Sequence, residues 1–349
     1  MRLRSVLAPP RLGVGALSVT PPIASGNQPS KLFLLGRVTW PYSGAPKDGV
    51  CDEYWNGSAW QLTDTTTLSS TGSVIMASSC YDPVTKRVYM FGDEDASNQC
   101  RFFDTVAGTY TSITSLSVGG NDTFACVHSG SSKCFIFGGV TDFTGNFCSA
   151  AIQSYPINIG TPSQSFTTQT AVLPAAGIDL FGAVDSSNSD IVYLGGGNRN
   201  LGGSPDACAT TWLRYNMSTP NTNPTAMTSM PVGLSMAGCV DIGTEIIVIG
   251  GFPTGPRGCG SSGVYAYNKS GNSWSSRGTY PTTVAGARAT YFGNTIYCAG
   301  GLDSQGFDIN RHPVNATTAV YKSVDAGANW TLHSNLLTLA WGSSILVAQ

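Results

Sequence analysis

Ile246-Ile247-Val248-Ile249-Gly250-Gly251 is an apolar, β-branched run stopped by two glycines, and the pattern recurs along the chain. The other runs are Leu32–Gly36 (LFLLG), Val88–Gly92 (VYMFG), Cys134–Gly139 (CFIFGG), Ile191–Gly196 (IVYLGG) and Ile296–Gly301 (IYCAGG). Their first glycines stand at 36, 92, 138, 195, 250 and 300, a period of 46 to 57 residues. A period of this size marks a repeat architecture, in which each unit buries its faces only against its neighbours.

The same order of elements surrounds each run. An alternating or apolar segment precedes it, as in Val74–Cys80, Thr123–Val127, Ile178–Val184, Leu234–Val240 and Ala285–Phe292. A short polar turn such as Asp82–Lys86 or Gly243-Thr244 joins the two, which reads as a hairpin. A longer irregular loop follows the glycines, of a length that usually carries function. A third strand then shows at Tyr54-Trp55, Arg101–Phe103, Ser154-Tyr155, Trp212–Tyr215, Val264–Tyr267 and Ala319–Tyr321. A fourth opens near Trp60, Tyr110, Trp274 and Trp330. Four antiparallel strands per unit and six units predict an all-β, six-bladed β-propeller, with seven blades if the two termini together build another sheet. The tail Leu336–Val347 is expected to fill the innermost place of the first unit, with Leu17–Ala24 as the competing donor. Residues 12–349 then form one domain behind a leader or extension at 1–11.

Composition supports strands and narrows the partners. Charged residues are 11% of 349, against about 25% in an ordinary soluble domain. Net charge is −2 without a basic tract, so the electrostatic footprint of a nucleic-acid binder is missing. No uncharged apolar stretch is long enough to span a bilayer as a helix. The ten cysteines contain no C-x-x-C pair, which favours disulfides and a secreted, extracellular setting over zinc or thioredoxin chemistry. Arg2 and Arg4 resemble the start of a signal peptide, but Pro9, Pro10 and Arg11 interrupt what should follow.

The cysteines recur in register. Cys51, Cys100, Cys148, Cys208 and Cys259 follow a glycine motif, while Cys80, Cys126 and Cys239 fall in the next first strand. In a propeller these places share a face, which predicts Cys51–Cys80, Cys100–Cys126 and Cys208–Cys239. Each bridge would close 26 to 31 residues, for about 3–4 kcal/mol of stabilisation. Cys259–Cys298 and Cys134–Cys148 would use the remainder. The competing reading is a set of buried thiols, since cysteine packs as a small apolar residue.

The double glycine, the third-strand Tyr and the fourth-strand Trp make the chain resemble kelch-repeat propellers, such as the central domain of galactose oxidase. The fifth unit carries this best, in Gly250-Gly251, Tyr265-Ala266-Tyr267-Asn268 and Trp274. In the first two units Arg37 and Asp93 replace the second glycine. Ser323-Val324-Asp325-Ala326-Gly327-Ala328-Asn329-Trp330 is similar to the Asp-box of sialidase-type propellers, which implies a structural turn between third and fourth strands. The copper site of galactose-oxidase-like enzymes needs two Tyr and two His, and His128, His312 and His333 are spread along the chain. The Arg-Ile-Pro motif of sialidases is absent.

Candidate sites follow from placement. The sequons at Asn56, Asn121, Asn216, Asn268, Asn315 and Asn329 are acceptors for N-glycans if the chain passes a eukaryotic secretory route. Asp93-Glu94-Asp95 reads as a solvated loop rather than a calcium site, and Cys126, His128 and Cys134 as strand residues rather than metal ligands. No cofactor is expected. The long loops place Trp40, Tyr42, Phe143, Arg199, Arg257, Arg311 and His312 as ligand contacts, aromatics for stacking and arginines for fixed donors. The expected activity is recognition of an extracellular protein or glycan, or a subunit role in a larger assembly. The alternative is a glycan-active enzyme of sialidase or galactose-oxidase type.

Overall fold

The computed structural model describes residues 29, 31–38, 50–62, 78–92, 99–118, 123–142, 147–157, 164–198, 208–253, 260–302, 317–340 and 345–348. Within them lie six four-stranded antiparallel sheets arranged in a ring, a six-bladed β-propeller. The 3-10 turn Ser129–Ser131 is the one helical element among the described residues.

Each blade is read outward from the axis. Blade 2 is Ser78–Asp82, Arg87–Phe91, Cys100–Asp104 and Thr109–Ile113. Blade 3 is Phe124–His128, Lys133–Phe137, Ala151–Pro156 and Thr167–Val172. Blade 4 is Phe181–Val184, Ile191–Gly195, Trp212–Asn216 and Thr225–Ala226. Blade 5 is Gly238–Asp241, Glu245–Ile249, Ser261–Asn268 and Ser273–Val284. Blade 6 is Arg288–Phe292, Thr295–Ala299, Thr317–Ser323 and Thr331–Ala340.

Blade 1 closes the ring. Its second to fourth strands are Leu32–Val38, Val50–Trp55 and Trp60–Leu62, and its innermost strand is the distant Ile345–Ala348. Leu32 pairs with Ala348 and Leu35 with Ile345. The expected C-terminal donor is therefore used, although Leu336 itself belongs to the last strand of blade 6. The rival donor Leu17–Ala24 and the leader 1–11 lie outside the described residues.

The hydrophobic core of the described residues is divided into seven clusters, one in each seam between blades and a small seventh of Phe252, Ala285 and Leu302 at the blade thresholds. Strand alternation produces this division, because successive side chains enter opposite seams. Along Lys133–Phe137, Cys134 and Ile136 face blade 2 while Phe135 and Phe137 face blade 4. The repeating aromatics fill these seams. Trp212 lies with its ring centroid 5.8 Å from Tyr267 and 5.2 Å from Trp274, so blades 4 and 5 meet edge to face.

The double glycine is a seam device. At Gly251 φ is +94°, and its N–H donates to the Val284 carbonyl at 2.8 Å, at the threshold of the next blade. A Cβ on Gly250 would stand 2.3 Å from that same oxygen, so only glycine lets the two chains meet. Gly139 and Gly197 donate in the same way to Gly177 and Leu234.

In blades 4, 5 and 6 the innermost strands start three or four residues later than their apolar pattern predicts. Ile178, Ser235 and Ala285 each make one isolated bridge, to Asn198, Phe252 and Leu302. Asp179, Met236 and Gly286 follow with positive φ, which breaks the strand before it restarts. Met236 N–H then donates to the Asp179 carbonyl, and Gly286 N–H to the Met236 carbonyl, so the thresholds of blades 4, 5 and 6 are linked.

Candidate functional site

Register defines the two ends of the ring. Ser78, Phe124, Phe181, Gly238 and Arg288 open the innermost strands and pair with Phe91, Phe137, Gly195, Ile249 and Ala299, which close the second strands. One end therefore holds the glycine motifs, the blade thresholds and the roots of the long loops. The other holds the hairpin turns.

The turn end is built from short polar side chains that fold their own backbone. Asp82, Asp185 and Asp241 end innermost strands, and their carboxylates accept from Val84, Ser187 and Gly243 N–H groups. Asn56, Asp104 and Asn216 end third strands and accept from Ser58, Val106 and Ser218 N–H groups. Asn268 does the same toward Gly271 N–H at 2.6 Å. Three sequons thus coincide with a turn motif that an aspartate fills in blade 2. Asn329 donates through Nδ2 to Asp325 at 2.7 Å, and Asn121 and Asn315 lie outside the described residues.

In blade 6 the Ser323–Trp330 turn is tied more densely. Ser323 Oγ donates to Asp325 at 2.8 Å and accepts from Gly327 N–H at 2.9 Å. Asn329 N–H reaches the same Asp325 oxygen, and Trp330 Nε1–H donates to the Gly327 carbonyl. Burial alone would raise the Asp325 carboxyl, but these donors hold it below the usual range. Trp330 packs against Tyr280 with centroids 5.0 Å apart.

Lys269 and His128 tie neighbouring turns together at this end. Lys269 Nζ lies 2.6 Å from Asp185 and 2.8 Å from Asp241, joining the turns of blades 4 and 5. His128 Nε2 lies 2.8 Å from Asp190 and Nδ1 lies 2.7 Å from Ser131 Oγ. His128 is thus spent on holding turns, and Cys126 and Cys134 project into opposite seams.

A channel of about 580 Å³ runs along the axis and is lined by all six innermost strands. Its described lining holds two charged residues, Arg288 and Asp241. Asp241 is bound by Lys269 at the turn end, and Arg288 opens its strand at the loop end. Across the ring from Arg288, Ser78 and Thr123 are buried in blades 2 and 3 and line the same mouth. Their hydroxyl oxygens, and that of Ser79, are closed off from solvent and have no hydrogen-bond partner among the described residues. A buried hydroxyl left so costs about 1–3 kcal/mol. At the loop end the described lining of the channel therefore carries a single charged residue, Arg288.

Trp40, Tyr42, Phe143, Arg199, Arg257, Arg311 and His312 all lie outside the described residues, as do Asp93–Asp95. The structure supplies instead the floor on which their loops stand. Arg288 escaped the sequence reading, although a charge at the start of an innermost strand is visible there as a break in the repeat. Ser78 and Thr123 carried no such signal.

No bridge joins the described cysteines. Cys51 pairs in register with Arg37 in blade 1, and Cys259 lies outside the described residues. Burial pushes the Cys100 and Cys298 thiols up to about 12 and raises those of Cys126, Cys134 and Cys239 as well.

No family profile matches the chain, and no curated protein matches it in sequence. A solved structure of YjhT is similar, with a TM-score of 0.60 and 16% identity over 75% of this chain and 84% of that one. Likeness at this level concerns the propeller fold, which many solved chains share and which does not fix a function.

Proposed function

We propose that the chain is a secreted, kelch-like β-propeller that acts as a binding or structural module, recognising a glycan or protein at its loop end. The observation that carries this reading is the axial channel, which Arg288 lines at the end where the long loops are rooted. An arginine offers fixed donors to carboxylate or hydroxyl oxygens, and serine and threonine hydroxyls both donate and accept. Loops on a rigid scaffold are the usual place for recognition residues, and Trp40, Tyr42, Phe143, Arg199, Arg257, Arg311 and His312 stand in those loops. The kelch subtype is supported by the double-glycine seam, and the Asp-box resemblance by the Ser323–Trp330 turn.

The test is a glycan and protein array with the purified chain, repeated with Arg288→Ala, Trp40→Ala and Arg311→Ala. Binding is expected to fall at least tenfold in Arg288→Ala and in one loop variant, with melting midpoints retained. Full binding in all three would refute the assignment of this end.

A further inference from the structure

We infer that Cys80 and Cys134 form a disulfide that locks the seam between blades 2 and 3, a pairing different from either bridge expected for them from sequence. Cys80 lies on the innermost strand of blade 2, and Cys134 on the second strand of blade 3. Their sulfurs are 3.4 Å apart, and both side chains are buried in the same apolar cluster with Tyr89, Phe91 and Tyr155. A bond requires the sulfurs to approach to about 2.05 Å, a shift within reach of small side-chain rotations. The two residues belong to different sheets, so neither strand's pairing is disturbed.

Strand alternation disfavours the other partners. Tyr81, Val88 and Met90 form the face of blade 2 that meets blade 1, while Cys80 is on the opposite face. A bridge from Cys80 to Cys51 of blade 1 would therefore have to cross a sheet. Cys134 sits near the turn end of its strand, and Cys148 pairs with Val140 beyond the glycines at the loop end. The three residues from Cys134 to Phe137 already span about 10 Å, and bridged Cα atoms lie within about 7 Å. Cys126 is in the seam between blades 3 and 4, 3.5 Å from Met217 Sδ.

The chemistry is thiol–disulfide exchange with a small-molecule disulfide. One cysteine thiolate attacks the reagent's S–S bond and releases one thiol from it. The second thiolate then attacks the mixed disulfide and releases the other. Two electrons pass from the protein sulfurs to the reagent, and the two cysteine protons end on its released thiols. Burial holds the Cys134 proton tightly once the seam is closed, so the bond forms while the blades are still assembling.

This inference rests on the export reading only for its oxidant, which a refolding buffer of oxidised and reduced glutathione supplies in vitro. Full-length chain refolded in that buffer is quenched with acid, alkylated and digested without reduction. The peptides holding Cys80 and Cys134 are expected as one cross-linked species. Recovery of both as alkylated thiols, or of either joined to another cysteine, overturns the inference. A second measurement uses the chain with both Cys80→Ala and Cys134→Ala. Reductant should lower the wild-type melting midpoint by about 5 °C more than that of the double variant; an equal fall in both overturns the pairing. Failure of export in a secreting host would instead strike the functional reading and leave this result untouched.

Discussion

Replacing Lys269 by alanine isolates what the ionic cluster contributes at the turn end. The ammonium bridges Asp185 and Asp241, and the three side chains keep 9, 11 and 4% of their exposure. Removing one partner of a buried ion pair costs about 3–5 kcal/mol, because the remaining charge stays desolvated. Here each carboxylate keeps other donors, Ser187 on Asp185 and the Ser186 and Gly243 N–H groups on Asp241. The loss should therefore lie at the low end, about 3 kcal/mol. For 349 residues the unfolding entropy is about 0.7 kcal/mol/K, so the melting midpoint should fall by about 4 °C.

The pH dependence has a definite sign. Burial raises the Asp185 carboxyl, but the bonds from Lys269 and Ser187 outweigh it and the group ends below its ordinary 3.8. Its contribution is present above the unfolded value and is lost as pH falls through the folded one. Burial lowers the Lys269 ammonium, but the two carboxylates outweigh it and raise the group above 10.5. That contribution is complete below 10.5 and is lost as pH rises through the folded value. The gap between wild type and Lys269→Ala should be widest from about pH 5 to 9 and shrink toward either extreme. Calorimetry across pH 3–10 checks this, with Lys269→Met as a control that keeps the stem. Added salt should change the gap little, since the cluster is largely shielded from solvent. A midpoint within 1 °C of wild type at pH 7 in both variants would refute the reasoning.

Three further outcomes follow from the seams and turns. Gly251→Ala places a Cβ 2.9 Å from the Ser235 carbonyl at a φ of +94°, and should cost about 1–3 kcal/mol in chemical denaturation. Removing residues 345–349 takes the innermost strand from blade 1 and exposes the edge of Leu32–Val38; the cooperative thermal transition should broaden or vanish, and a sharp wild-type transition would contradict ring closure. Asn216→Asp should keep the turn that accepts from Ser218, while Asn216→Ala loses about 1 kcal/mol; equal stability of the two variants in unglycosylated protein would show that the amide oxygen does no structural work.

Much of the fold was legible because the same physical demand recurs in every blade. The double glycines of blades 3, 4 and 5 stand where the second strand meets the next blade's threshold, and Tyr215, Tyr267 and Trp274 fill the seams between blades. Strand starts were less legible. Ile178, Ser235 and Ala285 look like strand residues by their apolar neighbours, but the positive φ of the residue after each ends the pairing. Cysteine pairing was the least legible feature, because spacing along the chain does not say into which seam a sulfur points. Cys126 and Cys134 are eight residues apart and face opposite sides of one sheet.

The two ends of the ring solve the same problem with different materials, and this difference bears on function. At the turn end, chain reversal depends on particular side chains, so Asp82, Asp185, Asp241, Asn216, Asn268 and Lys269 are committed to structure. At the loop end, reversal depends on glycine and on backbone bonds such as Gly251 N–H to Val284 and Gly197 N–H to Leu234. Arg288, Ser78 and Thr123 lie at the boundary, on strands fixed by pairing yet lining the mouth of the channel. A ligand recognised there would rest on a floor held rigid by strand pairing. The repeat records what closes the ring and would carry only a faint mark of such a ligand.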